Sequence, residues 1–284
     1  MKKMRVKECL LLLSLVVIIT ACVDPPPPPT SLIEMVWISA GTFTMGDGLT
    51  EHQVTLTSGF YMGKYQVTQE QYQTVMGSNP SYFTSSPASG EVQARRPVET
   101  VSWYHAIVFC NRLSIMEGLS PAYSISGSTN PDNWGSIPTS SNSTWNAVTI
   151  ISGSNGYRLP TEAQWEYACR AGTTTAYNTG ASISDNTGWY YSNSNSRTHE
   201  VGKKPANAWG LYDMHGNVLE WCYDWYGTYA SGSQTDPTGA SSGTSRVVRG
   251  GSWGSSAGVL RSAYRYGINP YVRYGDVGFR LVRP

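Results

Sequence analysis

Charge is scarce in this chain of 284 residues: only 14% are Asp, Glu, Lys or Arg, and the signs nearly balance at Lys+Arg 20 against Asp+Glu 19. A protein that condenses on nucleic acid needs a basic face, which this balance does not supply. Cysteine is absent after Cys222, and His52, His105, His199 and His215 stand in unrelated contexts without an HExxH pattern. A helical zinc-hydrolase centre is thereby excluded. No apolar run approaches the roughly 20 residues that a membrane-spanning helix requires. The chain is also short of the Ala, Leu, Glu and Lys that build helical bundles. What is plentiful is Gly 29, Tyr 19 and Trp 10, with aromatics at 12%. Disorder needs few aromatics and high net charge, so it is excluded in turn. The composition points to a compact, loop-rich domain with an aromatic core.

The first 21 residues read as an export signal rather than fold. Lys2, Lys3, Arg5 and Lys7 precede an apolar run at 10–19 that contains one serine and is too short to span a bilayer. The run ends in Ile19-Thr20-Ala21-Cys22, which resembles the lipobox of bacterial lipoproteins and makes Cys22 the first mature residue and the lipid carrier. An ordinary cleavable signal peptide is the alternative. Five prolines at 25–29 follow, and such a run forms a stiff polyproline II spacer of about 3 Å per residue. Residues 22–33 are therefore a lipidated stalk. Without residues 1–21, four basic residues and Glu8 are lost, which leaves 16 basic against 18 acidic. No nucleic-acid partner is expected of a weakly acidic protein. Cys110, Cys169 and Cys222 remain, an odd number outside any metal spacing. Each suits a buried apolar site, with one disulfide as the alternative in an oxidising compartment.

Along the chain, residues 35–45 read as a strand closed by Gly46-Asp47, and 54–67 continue in strand-like residues broken by Gly59 and Gly63. Thr68 predicts the N-cap of a helix over 69–76, stopped by Gly77. A second helix starts near Ser102, carries Ala106, Phe109, Cys110 and Leu113 on one face, and ends at Gly118. His105 on that helix reads as a satisfied histidine. Residues 124–156 are rich in Ser, Asn and Gly and read as a hairpin or long loops. A third helix opens on the capping box Thr161 to Gln164, turns Trp165, Ala168 and Cys169 inward, and stops at Gly172. Beyond Thr173 only turns and short strands are expected. The last strand alternates, with Val277, Phe279 and Leu281 inward and Gly278, Arg280 and Val282 outward. There is no internal repeat, and residues 34–284 form one domain.

Seven segments occur in a recognisable order: MVWISAGTFTMG, YQVTQEQY, RPVETVSWYHAIVFCNRLS, GYRLPTEAQWEYACRAG, NAWGLYDMHGNVLEWCYDWY, RVVRGGSW and GFRLV. Together they resemble the formylglycine-generating-enzyme (sulfatase-modifying-factor) domain, a variant of the C-type lectin fold. The resemblance implies an α+β architecture with a small twisted mixed sheet, few regular elements and much irregular loop. Members that oxidise a sulfatase cysteine use two cysteines after the GGS motif, which hold copper and react with the substrate thiol. Here those positions fall on Ser255 and Leu260. Neither side chain binds Cu(I) or forms a mixed disulfide, so no copper and no catalysis are expected. The stretch Asp213-Met-His-Gly216-Asn-Val218-Leu-Glu220 matches the family's calcium loop. In that match the side chains of Asp213 and Glu220 and the carbonyls of Gly216 and Val218 surround a structural Ca²⁺, a hard cation that takes several oxygens. The alternative is that both carboxylates cap turns or pair with arginines. A second calcium loop, expected near Asn186, has no match.

Residues 254–277 hold four tyrosines and three arginines among small residues, and lack Lys, Glu, Gln, Met and Trp altogether. Tyr gives rigid amphipathic contacts, while Ser, Gly and Asn give adaptable ones, as in antibody binding loops. The omission and the GGSW and GFRLV borders resemble variable proteins of diversity-generating retroelements. In those, adenines of a template are miscopied, and mutated AAC codons cannot encode the five missing types. The resemblance implies a variable region at about 246–284. Its diversified positions would be Gly254, Ser255, Ser256, Val259, Tyr264, Tyr266, Gly267, Ile268, Asn269, Tyr271, Val272, Tyr274, Gly275 and Asp276. Ala257, Arg261, Ser262, Arg265, Pro270 and Arg273 would be fixed framework, and Trp253, Phe279 and Leu281 would be core. The whole then reads as a monomeric lipoprotein on the outer membrane and surface of a bacterial cell, binding a protein or glycan. A maturation enzyme for exported proteins and a non-diversified envelope binding module are the alternatives.

Overall fold

The computed structural model describes residues 31–284; the segments expected as export signal and proline spacer, with Cys22, lie outside the described residues. In chain order the strands are β1 Met35–Ile38, β2 Gly41–Met45, β3 His52–Leu56, β4 Phe60–Gly63, β5 Leu219–Trp225, β6 Gln234–Thr235, β7 Arg246–Arg249, β8 Arg265–Ile268, β9 Val277–Gly278 and β10 Val282–Arg283. The helices are α1 Gln69–Met76, α2 Trp103–Met116, α3 Ser143–Asn146 and α4 Glu162–Arg170. Three small sheets result, ordered β1-β4-β10, β2-β3-β6 and β8-β7-β5-β9. Pairing is antiparallel except for β3 with β6 and β5 with β9.

The helix starts are where the capping residues put them. The Thr68 side chain accepts from the Gln71 amide and Gln71 reciprocates, while Gly77 closes α1 at φ +78°, a left-handed stop that costs glycine nothing. Ser102 caps α2 and Thr161 with Gln164 boxes α4. At the end of α4 it is Ala171, one residue before the expected Gly172, that takes the left-handed cap. α2 is buried nearly all round, so its single apolar face understates its depth: it runs through the main core beside Trp221, Phe279 and Leu281.

Three expectations change. The strand read at 35–45 is two strands in different sheets, since the chain breaks at Ser39-Ala40. The polar stretch 124–156 forms no hairpin ladder; instead Asn142 caps α3, which buries Trp145 edge-on against Trp134 at 5.7 Å. The final segment does not alternate, for every residue from Val277 to Val282 is buried. It crosses from one sheet to another, Val277 pairing with Leu219 and Val282 with Met62, so both of its faces meet protein. Arg280 tolerates that position because Glu220 neutralises it. Cys110, Cys169 and Cys222 are free and buried, and burial pushes the Cys169 thiol up to about 12. Among the described residues no helix is long and apolar enough to cross a membrane.

Candidate functional site

The C-terminal segment is tied down from behind. β8 forms the edge of the four-stranded sheet, with Tyr266 opposite Val248 and Arg265 opposite Arg249. Arg249 is fully buried; one guanidinium nitrogen pairs with Glu166 and another donates to the Tyr264 carbonyl at 2.5 Å. The Tyr264 backbone is thus fixed while its ring stays half-exposed. Arg265 grips Glu162 through two bonds of 2.7 Å each, a partly buried fork geometry that adds orientation as well as energy. Arg261 pairs with Asp47 at the surface, where such a pair contributes at most about 1 kcal/mol. Arg273 donates to the Thr100 carbonyl at 2.7 Å. The Ser262 amide reaches the Ala176 carbonyl, the Tyr104 amide reaches the Pro270 carbonyl, and the Tyr177 hydroxyl reaches the Ala257 carbonyl. Each residue expected as framework therefore joins the segment to chain outside it.

The expected variable positions differ in how freely they face solvent. Tyr266 and Tyr274 are 54% and 52% exposed, and Gly254 and Ser256 are exposed as well. Ser255, Val259, Tyr264, Gly267, Asn269, Tyr271, Val272, Gly275 and Asp276 are half-buried. Tyr271 and Val272 lean on the main core. A side chain added at Gly254 would meet nothing within 4 Å. At Gly267 a Cβ would lie 2.8 Å from the Tyr226 ring, so substitution there requires that ring to move. Ile268 is a correction: it is 6% exposed and belongs to the main core. A codon pattern carries no burial information, and so could not exclude it. Trp253 is the converse correction. It is half-buried in a turn, its indole donates to the Gly275 carbonyl at 3.0 Å, and its ring meets Phe83 edge-on at 5.3 Å.

Beside the segment opens a cleft of about 730 Å³, walled by Arg261, Tyr264 and Arg265, by Asp47, Leu49 and His52, and by Tyr226 and Tyr229. The Arg265 guanidinium lies 4.1 Å from the Tyr229 ring centre and 4.6 Å from that of Tyr226, within cation–π range. Sequence reading missed the second and third walls. The string DWYGTY at 224–229 was the available signal, an aromatic turn opened by glycine.

A smaller cavity of about 340 Å³ adjoins it and is lined in part by Glu162 and Asp224. Asp224 Oδ2 accepts the Glu162 amide at 2.8 Å, and burial, then the Glu162 charge, pushes its pKa up to about 7. The folded protein thus holds this proton more tightly than the unfolded chain does. The stability it contributes is full at acid pH and is lost as pH rises through about 7. Between about pH 4 and about pH 7 the melting temperature of the unaltered protein should fall more steeply with rising pH than that of Asp224→Asn. Parallel slopes would show that Asp224 does not titrate there.

The positions where enzyme thiols would stand carry a serine and a leucine. Ser255 Oγ lies 3.1 Å from Ser252 Oγ and accepts the Ser252 amide at 3.0 Å. Leu260 is buried, and its carbonyl lies 2.7 Å from His215 Nδ1. Gly250-Gly251-Ser252-Trp253-Gly254 has the spelling of a nucleophile elbow, yet Ser252 is buried between Ser255 and Asp276 and meets no histidine. His215 sits beside Cys169 and Asn178, and burial lowers its pKa to about 4. His199 bridges Glu91 and the Ser194 carbonyl elsewhere.

The loop 213–220 brings together three carbonyls, those of Asp213, Gly216 and Val218, and Glu220 Oε1. All four lie 2.9–3.2 Å from one atom, Gln66 Nε2. Gly216 is obligatory here, at φ +96° with a Cβ position 2.1 Å from the Trp189 carbonyl. The Asp213 carboxylate turns aside to accept the Gly202 amide at 2.7 Å, and burial pushes its pKa up to about 6. Both Glu220 oxygens are already taken by Arg280, and Trp165 Nε1 donates to one of them at 2.7 Å. Glu220 is thus a partner for arginine. Sequence inspection passed over Gln66 because it lies 147 residues before the loop begins.

The family model of the sulfatase-modifying factor enzyme 1-like domain matches residues 23–284. The solved structure of Treponema denticola variable protein 1 is 43% identical, with a TM-score of 0.81, and the match covers 88% of this chain and 95% of that one. Chaperone protein LppX of Paenibacillus barcinonensis is 38% identical over 271 residues, 88% of this chain and 89% of its own. The formylglycine-generating enzyme of Mus musculus is 29% identical over 294 residues, 88% of this chain and 75% of its own.

Proposed function

The chain belongs to the sulfatase-modifying factor enzyme 1-like family, and within it we propose a non-catalytic binding protein whose C-terminal loops form a diversified ligand site. The carrying observation is the division of labour in that segment. Buried Arg249 and half-buried Arg265 hold its backbone, while Tyr264 walls the cleft and Tyr266 and Tyr274 offer ring surface to solvent. The ligand is a protein or glycan, met by aromatic rings that supply contact area at little conformational cost. The likeness to Treponema denticola variable protein 1 supports this reading, as does the absence of a thiol at Ser255 and Leu260. Cys22 carries the lipid, and the proline stalk holds a monomer away from the outer membrane of a bacterial cell. The gene tests the diversification directly. A nearby non-coding repeat should match codons 246–284 except at adenines, beside a reverse transcriptase gene. A locus with neither would leave a fixed envelope binding module.

A further inference from the structure

We propose that the side-chain amide of Gln66 takes the place of a calcium ion in the loop 213–220, so that this domain folds and works without the metal. Gln66 is buried, and its Nε2 meets the carbonyls of Asp213, Gly216 and Val218 and the carboxylate of Glu220 at 2.9–3.2 Å. Those are N–H···O lengths. Calcium would need oxygens at about 2.3–2.6 Å, so an ion at that point would require the shell to contract and the amide to leave. The charge balance agrees. Glu220 is neutralised by Arg280, and the Asp213 side chain is not among the atoms around the amide. Three neutral carbonyls and a carboxylate already compensated by arginine suit a neutral donor better than a dication.

The amide has two possible orientations, and they exclude each other. With nitrogen inward, its two protons serve the four oxygens and no metal fits. With oxygen inward, Oε1 would face three carbonyls and a carboxylate with no proton between them, which only a cation could relieve. Gln66 Oε1 and Asp213 Oδ1 are buried without a hydrogen-bond partner, and they are the atoms that a cation would serve in the second state. The loop does not depend on what the C-terminal segment binds, so its test is separate.

The purified full-length protein should contain no stoichiometric calcium by mass spectrometry, and its melting temperature should be the same in EDTA and in excess calcium chloride. Retained calcium, or a melting temperature that EDTA lowers and calcium restores, would overturn the proposal and place the amide oxygen inward as a ligand. Gln66→Glu supplies the positive arm. A carboxylate among the same four oxygens should lower the melting temperature without cation and raise it by several degrees on addition of calcium, as selective binding to the folded state requires. A folded Gln66→Glu protein indifferent to calcium would show that the four oxygens do not form an ion-sized site, and the substitution claim would fail.

Discussion

Phe279→Ala should cost about 3–5 kcal/mol of folding stability, whereas Tyr266→Ser and Tyr274→Ser should each remain within about 0.5 kcal/mol of the unaltered protein. Phe279 is fully buried, edge-on to Phe109 at 5.2 Å and to Tyr72 at 6.4 Å. Truncation there removes transfer energy and leaves a cavity that the surrounding rings cannot fill. Tyr266 and Tyr274 hold no comparable position, since their backbones are set by the β7 ladder and by the Thr100 amide, which donates to the Tyr274 carbonyl at 2.9 Å. Serine preserves both. Tyr271 should fall between the extremes because part of its ring packs on the core. The measurement is a urea or thermal unfolding series over these variants. If Tyr266→Ser or Tyr274→Ser unfolds the domain, the exposed rings are structural and the variable-surface reading fails.

The contrast explains what could be read from the sequence. Helix starts were legible because capping is local: Thr68, Ser102 and Thr161 act within three residues of themselves. The arginines at 261, 265 and 273 stood out in the sequence, but their partners did not, because Asp47, Glu162 and Thr100 lie between 103 and 214 residues away. The same distance hid Gln66 from its loop. Alternation failed over 277–282 because the rule assumes one wet face, and a segment that crosses between two sheets has none. Ile268 failed for another reason, since a codon-derived list describes how a position arises and not where its side chain goes. The Ser/Asn/Gly-rich stretch 124–156 read as a hairpin or long loops because propensity is local, while tertiary packing of Trp134 and Trp145 set its short helix.

Arg280→Met should be among the most destabilising single changes, at about 3–5 kcal/mol, because it strands the Glu220 carboxylate in the core. Arg280 is fully buried, reaches Glu220 through bonds of 2.6 Å and 2.8 Å, and also donates to the Gly63 and Tyr212 carbonyls. A loss of that size is a large part of the about 5–15 kcal/mol that typical domains possess. Glu220→Gln alone should also be costly, since it leaves a buried guanidinium with neutral partners only. The double variant should recover much of the loss, because a paired deletion leaves no uncompensated charge. Additive losses in this cycle would show that the two charges do not interact. The pair also bears on the loop it flanks. If Arg280 is the cation that neutralises Glu220, calcium should not rescue Arg280→Met by entering a loop that Gln66 still fills. Rescue by calcium would mean that the carboxylate, freed from arginine, draws the metal in and expels the amide, and the loop would then be poised between two compensating cations rather than fixed on one.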